Sequence, residues 1–144
     1  AVLAALVATT VGDFASLYLG RVGGFSLHWT EWFLPELAWG TPLIVAGSFV
    51  CLVVLAPVFE ELVFRGLVFG TLRSRWRFGV AATISSAIFA ILHGYGLIGC
   101  LATWWYGMVF AWLYENTRSL LPGMILHAGL NFTVFCGMML LRLA

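Results

Sequence analysis

Residues Pro42 to Gly66 read PLIVAGSFVCLVVLAPVFEELVFRG, a long apolar run that ends in two adjacent glutamates and an arginine. The uncharged run that leads into the glutamates, Leu37 to Phe59, is 23 residues long. About 20 apolar residues as a helix cross the roughly 30 Å hydrocarbon layer of a bilayer. Thr41 followed by Pro42 is a helix start signal, because the hydroxyl caps free amides and proline suits the first helical position. A helix from 42 to 72 is about 45 Å long at 1.5 Å per residue, so it must tilt, kink or protrude. Pro57 offers a kink by removing its own bond to the carbonyl of Val53.

The rest of the chain fits the same solvent. Of 144 residues 62% are hydrophobic and 9% charged, with mean hydropathy +1.04. Soluble domains carry about 25% charged residues. A net charge of +1 without a clustered basic face excludes a nucleic-acid partner. Ser119 to Leu141 is another uncharged run of 23 residues, and Phe78 to Tyr114 spans 37, enough for two crossings if it turns at Gly94-Tyr95-Gly96. Ala1 to Gly20 is apolar apart from Asp13, to which no role is assigned. The expected fold is an all-α, polytopic transmembrane bundle, one integral-membrane domain over 1–144. Its five helices are placed near 1–20, 42–72, 78–94, 97–115 and 119–141. The chain opens on Ala1 rather than Met, which leaves room for upstream helices outside it.

Between the first two spans, Trp29, Trp32, Phe33 and Trp39 beside Glu31 and Glu36 read as an interfacial segment, with His28 at the surface. Arg73, Arg75 and Arg77 form the densest positive loop, with Arg118 on the same side two spans later. The positive-inside rule makes that side cytoplasmic, against Arg21 and Arg142 opposite, in a multi-pass protein of the plasma (inner) membrane. Cys51, Cys100 and Cys136 read as small core residues. Trp104, Trp105 and Trp112 read as lipid-facing or packing surface.

Polar residues at membrane depth are costly and by default functional. At 1.5 Å per residue from the cytoplasmic helix ends, Glu60, Glu61 and Asn131 lie about 18 Å in, His93 about 22 Å and His127 about 12 Å. Glu61 and Arg65 are i, i+4 and can pair, whereas Glu60 is rotated about 100° away and stays free for general-base work. His127 and Asn131, also i, i+4, place two donors side by side, the composition of an oxyanion hole. His93, on a third helix, can orient the same water as Glu60. Each residue alone has a plainer reading: Glu61 with Arg65 as a structural ion pair, His93 as a helix-end histidine bonding a carbonyl, Asn131 as an interhelical hydrogen bond.

Three motifs, EELVFR (60–65), FAILH (89–93) and HAGLN (127–131), with the lead-in TRSLLPGMILH, resemble those of the CPBP family of intramembrane proteases over residues 42–141. That family includes type II CAAX prenyl endopeptidases and bacteriocin-processing or self-immunity proteins. The resemblance implies an intramembrane endopeptidase acting on a peptide or lipidated protein, prenylated or bacteriocin-like, among membrane lipids. Glu60 and His93 would activate water, His127 and Asn131 would stabilise the oxyanion, and Glu61 with Arg65 would hold the site. No metal is favoured: there is no HExxH, and Glu61 is claimed by Arg65 rather than free to support a ligand histidine. If zinc is present, Glu60, His93 and His127 are its ligands. The rival readings are a proton-coupled transporter and a bis-histidine haem protein.

Overall fold

The computed structural model describes residues 1–25 and 34–140. His28, Trp29, Glu31, Trp32, Phe33 and Arg142 lie outside that range. The described residues form helices and connecting turns: α1 (Val2–Gly23), the short α2 (Pro35–Trp39), α3 (Pro42–Arg73), α4 (Phe78–His93), α5 (Leu97–Thr117) and α6 (Leu121–Leu140). Four of them, α1, α3, α5 and α6, are long and apolar enough to cross a membrane, and α4 is a shorter apolar helix. The burial pattern suits lipid rather than water. Leu3 and Leu43 are 73% and 83% exposed, while Glu61 and Arg65 are each 1% exposed. In water such exposed apolar area would drive association, whereas in a bilayer it is the solvated face. The chain is a multi-pass integral membrane protein.

The expected boundaries hold to within three residues. Thr41 caps α3, its hydroxyl accepting from the Ile44 amide at 3.5 Å. Gly94 ends α4 in the left-handed region, φ 68°, where a Cβ would be strained. At 16 residues α4 is about 24 Å long, less than the roughly 30 Å hydrocarbon thickness. α5 is the central post, packed against α4 along one side and α1 along another. Small residues allow the first contact: a Cβ on Gly107 would lie 2.7 Å from the Cβ of Ser86. The second uses polar links at membrane depth. Tyr106 donates to the Asp13 carboxylate, and Trp105 Nε1 donates to the Ala8 carbonyl at 2.9 Å. Asp13 thus ties α1 to α5.

Two expectations change. The cysteines are not core: Cys51 is exposed, Cys100 and Cys136 half-buried, since a thiol facing lipid loses no hydration that matters. Pro57 acts differently from a simple kink. α3 is π-helical at Val50–Leu55 and again at Leu62–Phe69, on either side of the glutamates. In a π turn each carbonyl takes the amide five residues on. Ala56 N–H accordingly bonds the Cys51 carbonyl, and the carbonyl matched to Pro57, which has no N–H, is that of Leu52 rather than Val53.

Candidate active site

Glu60 and Glu61 stand on the regular helical turn Ala56–Glu61 between the two π segments of α3. Glu61 points into the bundle. Its Oε1 lies 3.2 Å from Arg65 Nη1 and 3.3 Å from His127 Nδ1. Gly123 on α6 makes room for it, since a Cβ there would sit 3.0 Å from Glu61 Oε2. Arg65 is enclosed: its guanidinium carbon lies 4.4 Å from the Phe89 ring centroid and 5.1 Å from that of Phe110, and Nη2 donates to the Gly107 carbonyl at 3.3 Å. Buried charges of this kind are tolerable only when paired, hydrogen-bonded and packed on aromatic faces.

Glu60 has different company. Its side chain is 24% exposed, and its Oε2 lies 3.6 Å from His127 Nε2 and 3.9 Å from His93 Nε2. Among the described residues that oxygen is buried without a hydrogen-bond partner. The two separations are too long for direct hydrogen bonds. α4 and α6 therefore bring two imidazoles to one carboxylate oxygen on α3.

The histidines are oriented from behind. His93 Nδ1 lies 2.7 Å from the Phe89 carbonyl, the helix-end bond that its position at the close of α4 suggested. A carbonyl only accepts, so Nδ1 carries the proton, and in the neutral ring Nε2 presents a lone pair toward Glu60. The Glu61 carboxylate imposes the same tautomer on neutral His127. The His127 ring also stacks on Phe110, centroids 4.9 Å apart at 23°, and meets the edge of Phe89 at 6.0 Å.

Asn131 takes another place. Its Nδ2 donates to the Leu52 carbonyl at 2.9 Å, two turns up α3 from Glu60. Equal depth had levelled Asn131 with Glu60; in the packed bundle His127 lies beside Glu60 and Asn131 beside Leu52. Phe89 and Phe110 were not singled out from sequence. Phe89 touches Phe64, Arg65, His93 and His127, and only its position at the head of FAILH could have marked it.

The stated reason for disfavouring a metal fails in part. Glu61 Oε1 faces both Arg65 and His127, so each histidine does have its second nitrogen held by a carbonyl or carboxylate, as metal-ligating histidines do. The spacing of the three candidate ligands fits less well. Tetrahedral ligands about 2.1 Å from zinc lie about 3.4 Å apart, closer than either Glu60–histidine separation. No group of three or more His, Cys, Asp or Glu among the described residues is placed to hold a metal ion.

Fold and site together define a multi-helix membrane protein in which two imidazoles meet one carboxylate inside the bundle. Residues 41–133 match the family model described as type II CAAX prenyl endopeptidase Rce1-like, and the chain belongs to that family. It is 35% identical over 78 residues to the "Putative membrane peptidase YdiL" of Bacillus subtilis, covering 54% of this chain and 32% of that protein. Over 86 residues it is 28% identical to the UPF0177 protein YxdF of Lactococcus lactis, covering 54% and 42% respectively. The matches thus span less than half the length of these curated relatives. No solved structure matches the chain significantly.

Proposed function

We propose that this protein is an intramembrane endopeptidase that hydrolyses a peptide bond near or within the bilayer of a prenylated CAAX-type or bacteriocin-like protein. The observation that carries the reading is the convergence of His93 and His127 Nε2 on Glu60 Oε2, at 3.9 and 3.6 Å. A water held there can give its two protons toward Glu60 and His93, both acceptors, leaving its oxygen lone pair for the scissile carbonyl. Glu60 takes the proton as that oxygen attacks. His127 receives it in turn, and with both ring nitrogens protonated donates from Nε2 to the oxyanion or the departing amine. Asn131, one helical turn from His127, has a second amide N–H beyond the one given to Leu52, and this is the other oxyanion donor. Glu61 and Arg65 fix the His127 ring.

Family membership supports the reaction class, and the peptidase name of the Bacillus relative agrees with it. The Arg73–Arg77 loop faces the cytoplasm of a plasma (inner) membrane in this reading. Arg73 reaches Glu115 at 2.9 Å and Arg118 reaches it at 3.5 Å, which supports the two basic loops sharing one side. The deciding experiment incubates purified protein with prenyl-peptide and membrane-proteome libraries, wild type against Glu60→Gln, and reads new termini by mass spectrometry. New termini with wild type alone are expected; identical termini with both defeat the reading.

A further inference from the structure

The hydrogen bond from Asn131 to the Leu52 carbonyl has a cause in α3 that lies five residues away. Within the π turn Val50–Leu55, Ala56 N–H is given to Cys51, and residue 57, whose amide would serve Leu52, is proline. Leu52 therefore has no backbone donor from its own helix, and in an apolar surrounding an unpaired carbonyl costs several kcal/mol. Asn131 Nδ2 fills that need at 2.9 Å. Phe49, three residues before Leu52, meets Phe132 and Phe135 edge-on at 6.2 and 5.5 Å, so the bond is flanked by a packed aromatic contact between the same two helices. Both ends connect to the site: Pro57 precedes Glu60 by three residues, and Asn131 follows His127 by four.

We infer that Pro57 and Asn131 act as a coupled pair. Pro57 creates a carbonyl that only a side chain can satisfy, and Asn131 satisfies it, which sets the register of α6 against α3. That register holds His127 Nδ1 at 3.3 Å from Glu61 and Nε2 at 3.6 Å from Glu60. Asn131 is thus a positioning residue for His127, in addition to any donor role of its second N–H. The inference needs the placement of the two side chains, not the protease reading, and its primary tests do not use hydrolysis.

The test is a double-mutant cycle with Pro57→Ala, Asn131→Ala and both, purified in lipid nanodiscs. Alanine at 57 restores an N–H for Leu52. Asn131→Ala is expected to lower Tm and displace the His127 ring 15N shifts in the Pro57 background. In the Pro57→Ala background the Tm loss should fall to less than half, with the His127 shifts returning toward wild type. In a second measurement, independent of whether Pro57→Ala folds, the Leu52 carbonyl 13C resonance should move when Asn131 becomes alanine. If turnover is measurable, Pro57→Ala should restore part of what Asn131→Ala removes, which a pure oxyanion donor would not allow. Equal Tm losses in the two backgrounds, or a Leu52 carbonyl resonance indifferent to Asn131, overturn the inference.

Discussion

Glu60 and Glu61 are chain neighbours whose surroundings separate their roles. One is 24% exposed beside two imidazoles, the other 1% exposed against a guanidinium. Glu60→Gln keeps the shape and removes the base, so cleavage should vanish while the thermal midpoint stays within a degree or two. Glu61→Gln leaves Arg65 buried without its countercharge and should cost on the order of 3 kcal/mol of stability. Denaturation of both variants in one detergent checks the division, and equal stability losses would contradict it. His127→Ala and Asn131→Ala should each lower turnover about a hundredfold, as loss of one oxyanion donor does elsewhere. The plainer readings of His93 and Asn131 also have their counterparts here, a helix-end carbonyl bond and an interhelical hydrogen bond. A residue in a membrane interior has to satisfy its own polar atoms before it can serve a substrate, so the plainer bonds are compatible with the proposed roles.

Among the elements, α4 is the one whose position the site depends on most, because it ends at His93. It approaches α5 where Gly107 meets Ser86, and the Gly107 carbonyl also accepts from Arg65. Gly107→Ala should push the helices apart at that point and cost about 1 to 3 kcal/mol, the usual range for overpacking. Activity should fall with it, read as lower kcat at a given folded fraction; a variant as stable and active as wild type would show that the close approach is dispensable. α1 is more remote. Tyr106→Phe removes its hydrogen bond to Asp13 and should cost about 1 kcal/mol while leaving kcat unchanged, measured by the same unfolding and cleavage assays.

For the whole molecule, the sidedness and the chemistry are both open to measurement. A cysteine at Arg75, in a background lacking Cys51, Cys100 and Cys136, should react with an impermeant maleimide only when the cytoplasmic face is accessible. Labelling from outside intact cells would reverse the orientation. Under glutamate-dependent chemistry, prolonged chelation should leave turnover unchanged and elemental analysis should find less than one zinc per chain. Activity that disappears on chelation and returns with zinc would make Glu60, His93 and His127 ligands.

Local rules were enough for the bundle and for most of the cluster. Apolar runs of membrane length, Thr41-Pro42 and Gly94 place the helices, because span length and capping are properties of neighbours in the chain. The i, i+4 spacing of Glu61 with Arg65 anticipates their pair for the same reason. Three things needed the tertiary structure. The packing of α6 on α3 decides that His127, not Asn131, meets Glu60. The π turn decides which carbonyl Pro57 leaves unpaired. Packing decides that Phe89 and Phe110 enclose the Arg65 charge and that Asp13 belongs to Tyr106. The first and third depend on the register between helices, fixed by contacts between residues from 24 (Arg65–Phe89) to 93 (Asp13–Tyr106) positions apart, which leaves no periodic trace in either partner.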